Sequence, residues 1–324
     1  MNFGFRPIAR LAACCVALCA ATAATADSYP AKPVRILLGF AAGGSIDIVT
    51  RVVADGLSKS TGQAFIVENR PGAGGNLAVD ALLKATPDGY TILMGATGIA
   101  ANPTLFKKVP YQIDDLVAIS LIGDAPVLFM ANPSLSADSI PELIKLAKAK
   151  PGTIRSAIVN GTTAHLASEM FRMMAGVDMP HVPYKVNSQA FQDVMGGQVE
   201  VVVLPIAESL SHVKAKRVKA LGQTGRTRSS LAPDIPTLDE AGLKGYALTA
   251  WYLALGPAKM PRETVTALNQ EINKVLKQPE VQARLNASGV DVIGTMTPEQ
   301  AAAFLKSEHE KLARIIRWSG AKIE

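Results

Sequence analysis

Short runs of apolar, often β-branched residues alternate with amphipathic stretches along nearly the whole chain. Residues 34–40 form a compact apolar strand, and Ile46, Val49, Val53 and Leu57 then recur at near-helical spacing. Residues 65–68 and 90–94 read as the next two strands, the second introduced by the turn Pro87-Asp88-Gly89. Residues 127–131 form another, stopped by Asn132-Pro133. Ser139-x-x-Glu142 then supplies a capping box for a helix whose buried face is Ile140, Leu143, Ile144 and Ala147.

The middle of the chain repeats the scheme with strands at 154–159, 181–183, 199–204 and 218–222, which predict a second sheet. Trp251-Tyr252 lies in a returning strand, 246–255. Val265, Leu268, Ile272 and Val275 mark one late helix. Thr297-Pro298-Glu299-Gln300 opens another, with N-cap, N1 proline and N3 glutamine in place. This alternation predicts an α/β fold with largely parallel sheets. No long polar or Gly/Ser linker separates the two halves, so the expectation is two intimate lobes joined by short crossovers, with a ligand cleft between them.

The N-terminus changes the picture. Arg6 and Arg10 precede an almost unbroken apolar or small-residue run, residues 11–23, and Ala24-Thr25-Ala26 fits a small-x-small cleavage site. The pattern predicts an export signal over residues 1–26, cleaved after Ala26. The competing lipoprotein box, Leu11-Ala12-Ala13-Cys14, leaves only a three-residue apolar segment after Arg10, too short for a signal core. All three cysteines, Cys14, Cys15 and Cys19, fall in the leader. A mature chain without them has no disulfide, no cysteine-ligated zinc and no thiol nucleophile. Removing residues 1–26 from 324 leaves 298, enough for about two domains. The leader holds two of the 33 basic residues and none of the 27 acidic ones, so the remainder carries 31 against 27. This mild excess, with no basic block, does not point to nucleic acid.

Two glycine clusters carry the candidate chemistry. Gly39-Phe40-Ala41-Ala42-Gly43-Gly44-Ser45-Ile46-Asp47 reads as strand end, turn and helix start, a turn able to aim backbone N–H groups and a helix dipole at an anion. It lacks the Gly-Lys-Ser/Thr of a P-loop. Arg70-Pro71-Gly72-Ala73-Gly74-Gly75-Asn76 has Leu77 where a dinucleotide fingerprint needs its third glycine. Nucleotide binding is therefore not expected at either cluster, and the plainer alternative is a pair of tight strand-to-helix turns.

With Tyr29-Pro30-x-Lys32-Pro33-Val34-Arg35, Glu68-Asn69-Arg70-Pro71-Gly72-Ala73-Gly74-Gly75-Asn76, Pro87-Asp88-Gly89-Tyr90-Thr91-Ile92, Asn160-Gly161-Thr162-Thr163-Ala164-His165-Leu166, His181-Val182-Pro183-Tyr184-Lys185 and Gly196-Gly197-Gln198-Val199, the first glycine segment resembles the periplasmic receptors of tripartite tricarboxylate transporters, the Bug family. The resemblance implies a type II-like two-lobe periplasmic binding protein, each lobe a mixed sheet flanked by helices. It implies lobe 1 from residues 27–126 and 254–324 and lobe 2 from 127–253. The implied receptor is a monomer that closes on a small carboxylate and hands it to membrane permease subunits, with no cofactor.

In such receptors the carboxylate is held mainly by backbone amides, hydroxyls and water. Phe40, Ala41, Ala42, Gly43, Gly44 and Ser45 are carried over as the first-lobe ligand loop, with Asp47 as its brace rather than a direct contact, because its charge repels a carboxylate. Thr97 joins this set. Asn160, Thr162 and Thr163 are the second-lobe candidates, with His165 bracing their loop. The family's Tyr-Gly-Ser-x-Gly run is replaced here by Arg155-Ser156-Ala157-Ile158-Val159, and its Lys-Gly-Ser by Lys185-Val186-Asn187-Ser188. Asn187 and Ser188 are kept as candidates, and the departures leave ligand identity open.

The four histidines, at 165, 181, 212 and 309, show no metal-ligand spacing, and His212 and His309 are expected on solvated helix faces. Met170, Met173, Met174 and Met179 read as core, so no metal is expected. A hydrolase would need a nucleophile such as Ser45 or Ser188 with His165 or His181, but no Gly-x-Ser-x-Gly elbow is present. A receptor that signals to a sensor protein needs the same lobes and stays open beside the transport reading.

Overall fold

The computed structural model describes residues 29–321, so the expected leader and its cleavage site lie outside the described residues. In chain order the elements are β1 (Val34–Leu38), α1 (Ser45–Thr61), β2 (Phe65–Asn69), α2 (Asn76–Leu83), β3 (Thr91–Ala96), α3 (Gly98–Leu105) and β4 (Leu116–Ala125). The chain then crosses to β5 (Val127–Ala131), α4 (Ile140–Ala149), β6 (Ser156–Val159), α5 (Thr163–Ala175), β7 (His181–Tyr184), α6 (Asn187–Met195), β8 (Val201–Pro205), α7 (Ile206–Lys214) and β9 (Lys219–Gln223). It returns through β10 (Ala250–Pro257) and ends in α8 (Arg262–Leu276), α9 (Pro279–Ala287) and α10 (Pro298–Ser319). Among the described residues no helix is long and apolar enough to cross a membrane.

Two five-stranded sheets result, ordered β2-β1-β3-β10-β4 and β7-β6-β8-β5-β9. Each is mixed rather than largely parallel. In the first, β1 runs parallel to β2 and β3 while β10 is antiparallel to β3 and β4. In the second, β6 runs parallel to β7 and β8 while β5 is antiparallel to β8 and β9. The antiparallel strands are those nearest the two crossings, the first of which is the single residue Pro126 between β4 and β5. The return differs from expectation. Ala250, Trp251, Tyr252 and Leu253 already pair with β4 of the first sheet, so a lobe boundary between 253 and 254 would cut a continuous strand.

Local signals explain most ends. Ser139 accepts from Glu142 N, although the Glu142 carboxylate reaches Asp138 N instead of closing the box on Ser139. Thr297 and Gln300 form the complete reciprocal box at α10. The second glycine cluster has a packing reason. A Cβ on Gly39 would stand 2.6 Å from Gly75 Cα, so the end of β1 and the turn after β2 meet backbone to backbone.

The lobes are not packed separately. One apolar cluster runs from Leu37, Leu93 and Leu255 through Trp251 to Phe129, Leu166 and Val201. Helix α10 belongs to both lobes, packing on α3 and β4 of one and α5 of the other. Fully buried Trp251 stacks edge-on against Phe304 at 5.6 Å and donates its indole N–H to Glu308 at 3.1 Å. Met170 and Met179 are buried, with Met173 and Met174 packed against the same cluster.

Candidate functional site

The loop between β1 and α1 is exposed from Phe40 to Ser45, while Asp47 is only 3% exposed. Asp47 accepts from Gly43 N (3.0 Å), Arg51 Nε and Nη2 (both 2.9 Å) and Asn69 Nδ2 (2.9 Å). Asn69 Nδ2 also reaches Phe40 O at 3.0 Å, so both ends of the loop are tied to one carboxylate-centred knot. The Arg51 hydrogen bonds, helped by Gly43 N and Asn69, hold the Asp47 carboxyl at about 2. Gly43 has φ +86°, a left-handed conformation that L side chains rarely adopt. Gly44 is the N-cap of α1 and offers no side-chain cap, which leaves the first-turn amides of a 17-residue helix unpaired within it.

In the second lobe the loop after β6 leads into α5 in the same manner. Thr162 caps α5, donating to Val159 O (2.8 Å) and accepting from His165 N (3.2 Å). Gly161 N donates to His165 Nδ1 at 3.2 Å.

A cavity of about 490 Å³ lies between the lobes, bounded by the start of α1, the start of α5, and the residues that follow β8. Its polar lining is Ser45, Thr162, Thr163, Asn187, Glu208, Tyr252 and Ser288; Ile48, Ala125, Val127, Ile206 and Ala250 give it apolar walls. Among the described residues no lysine, arginine or histidine lines it. Ser45 Oγ and Tyr252 OH are 2.7 Å apart, and burial raises the Tyr252 phenol above its ordinary range.

Of the residues expected from sequence, the cavity therefore gathers Ser45, Thr162, Thr163 and Asn187. Phe40, Ala41, Ala42, Gly43 and Gly44 directly precede it on the exposed loop. Asn160 and Ser188 are exposed outside its lining, and Asp47 is turned into the loop's own bracing. Thr97 is also turned away: its hydroxyl accepts from Trp251 N at 3.1 Å and points at Thr249 O, holding the start of β10. Ile48, Glu208 and Ser288 were not singled out by the sequence, and Tyr252 was read only as part of the returning strand. The usable signal was topological, since ligands of open α/β sheets sit beyond strand carboxyl ends, and Glu208 follows β8 as Thr162 follows β6.

The histidines depart from expectation. His165, Glu169 and His181, spread over 17 sequence positions, converge so that one ligating atom of each lies within 4.8 Å of the others. His165 Nε2 and His181 Nδ1 stand 3.6 and 3.2 Å from Glu169 Oε1, and Arg172 pairs with Oε2 at 3.0 Å. Because His165 Nδ1 accepts from Gly161 N–H, its proton sits on Nε2 facing Glu169, which is the pattern of a hydrogen-bonded brace rather than a vacant metal ligand. Burial alone would raise the Glu169 carboxyl; the hydrogen bonds from both histidines, with His181 and Arg172 nearby, outweigh it and hold it at about 2. His212 and His309 are not free on solvated faces either. His212 packs 4.3 Å from the Phe191 ring, and His309 Nδ1 bonds Ala100 O at 2.8 Å.

Comparison with known proteins gives the chain a family. Residues 49–321 match the tripartite tricarboxylate transporter family receptor profile. The chain belongs to that family. It is 34% identical over 304 residues to Protein BugT of Bordetella pertussis (strain Tohama I), covering 93% of each chain. Among solved structures it is similar to the periplasmic binding protein BugD, at 30% identity and TM-score 0.71, covering 91% of this chain and all of that one. It is likewise similar to R. palustris Rpa4515 with adipate, at 28% identity and TM-score 0.74, with the same coverage. The fold is the two-lobe periplasmic binding protein fold with a mixed sheet in each lobe, and the family is one of periplasmic solute receptors.

Proposed function

We propose that this receptor captures a small carboxylate in the cleft between its lobes, closes on it, and delivers it to the membrane subunits of a tripartite permease. The observation that carries this reading is the pairing of two long helices, α1 and α5, whose first turns both border one cavity that, among the described residues, no basic side chain lines. Such a site favours an anion through oriented N–H groups and helix dipoles, each charge-assisted hydrogen bond contributing about 1.5–3 kcal/mol net. The resemblance to a relative solved with adipate supports the same ligand class. The export-type N-terminus and the family's periplasmic setting support action outside the inner membrane.

Thermal unfolding across a panel of mono-, di- and tricarboxylates tests the capture step. A ligand at a hundred times its Kd adds about 2.7 kcal/mol of stability and raises Tm. A flat response to every carboxylate would refute it. Ligand-dependent co-purification with permease subunits tests delivery; ligand-independent absence of any complex would refute that step alone.

A further inference from the structure

We propose that Glu208 makes the cleft selective for a ligand with one carboxylate and a cationic far end, an amino carboxylate rather than a dicarboxylate. The inference depends on the carboxylate-receptor reading above and narrows it. Among the described residues Glu208 is the one carboxylate in the cavity lining, and no basic residue of that set lines the cavity to offset it. Among the described residues its carboxylate has a single hydrogen-bonding partner, Asn187, whose Nδ2 donates to Oε2 at 2.9 Å. No salt bridge to it is present among those residues. Oε1 is left without a partner on an exposed side chain facing the cleft.

A purely structural role does not account for this arrangement. Glu208 occupies the first turn of α7, where an acid complements the helix dipole, and that role needs no placement inside a ligand cavity. Four helix starts meet there instead, because Asn187 of the lining opens α6. The starts of α1, α5 and α6 are electropositive, and only the start of α7 is overwritten by a full negative charge. The walls between are apolar, through Ile48, Val127 and Ile206. A carboxylate at the first pair of helix starts leaves the other end of a linear ligand beside Glu208. A second carboxylate there meets like charge with no counter-ion, whereas an ammonium gains an ion pair.

The test uses two series matched in carbon number: 4-aminobutyrate, 5-aminopentanoate and 6-aminohexanoate against succinate, glutarate and adipate, titrated calorimetrically into the mature protein and into Glu208→Gln. Glutamine keeps an acceptor for Asn187 and removes only the charge, and circular dichroism checks its fold. The expected result is at least a tenfold preference for the amino member at the best-fitting length, collapsing in Glu208→Gln through weaker amino-acid binding. Equal affinities in the two series, tighter dicarboxylate binding, or a preference unchanged in Glu208→Gln would overturn the assignment while leaving the carboxylate receptor intact. Failure of both series to bind would overturn the assignment together with the reading on which it depends.

Discussion

Removing the Asp47 carboxylate should loosen the first-lobe loop by a calculable amount. Asp47→Ala deletes the acceptor of four hydrogen bonds, from Gly43, Asn69 and, twice, Arg51. A carboxyl that titrates at 3.8 when unfolded and about 2 when folded contributes roughly 2.4 kcal/mol at neutral pH. Arg51 is half exposed, and solvent screening brings the expected loss to about 1–2 kcal/mol. The folded value is depressed, so the contribution is fully present above 3.8 and is lost as pH falls from there through about 2. Urea unfolding of wild type and Asp47→Ala at pH 7 and pH 3 measures this. The stability gap should be about 1–2 kcal/mol at pH 7 and roughly half that at pH 3, because the wild type is then losing what the variant never had. Asp47→Asn should fall between, since it keeps one acceptor but not the charge. A wild-type midpoint in Asp47→Ala at pH 7, or a gap as large at pH 3, would refute the carboxylate knot as the loop's anchor.

Gly43→Val should weaken carboxylate binding at least tenfold with an unchanged circular dichroism spectrum. A Cβ there meets nothing within 4 Å, so the damage comes from the left-handed backbone and not from a clash. Gly43→Asn should retain more affinity, and Lys214→Ala, at the exposed end of α7, should stay within a few-fold by calorimetry; equal affinity in Gly43→Val would move the anion site to the Thr162–Thr163 turn. Small-angle scattering should show a smaller radius of gyration at saturating ligand, with motion at Pro126 and the residues entering β10, and an unchanged profile would count against closure. Mass spectrometry of the exported protein should find Asp27 at the N-terminus and no reactive thiol; a lipid-modified Cys14 would contradict the cleavage site.

Much of this architecture is written locally. Strand β5 was legible to the residue from its apolar run and the Asn132-Pro133 stop, and α10 from Thr297-Pro298-Glu299-Gln300, because caps and periodicity depend on neighbours within about four positions. The first-lobe loop was legible for the same reason: Gly43, Gly44 and Asp47 lie within five positions, and the Gly43–Asp47 hydrogen bond links residues four apart. Strand β4 was missed, since its ten residues include Ser120, Gly123 and Asp124 and break an apolar run. Its polar positions are satisfied by distant groups, Ser120 by Asn273 and Asp124 by Thr249.

Tertiary structure alone decided the rest. It placed all of β10 in the first sheet, turned Thr97 onto that strand, and brought Ser45 within hydrogen-bonding distance of Tyr252 across 207 positions. It also joined His165 to His181 through Glu169 and set Glu208 in the cleft beside Asn187. These outcomes follow from sheet order and from which strand ends meet across the cleft. Such contacts are selected by the burial of whole faces, which spacing along a single element does not encode.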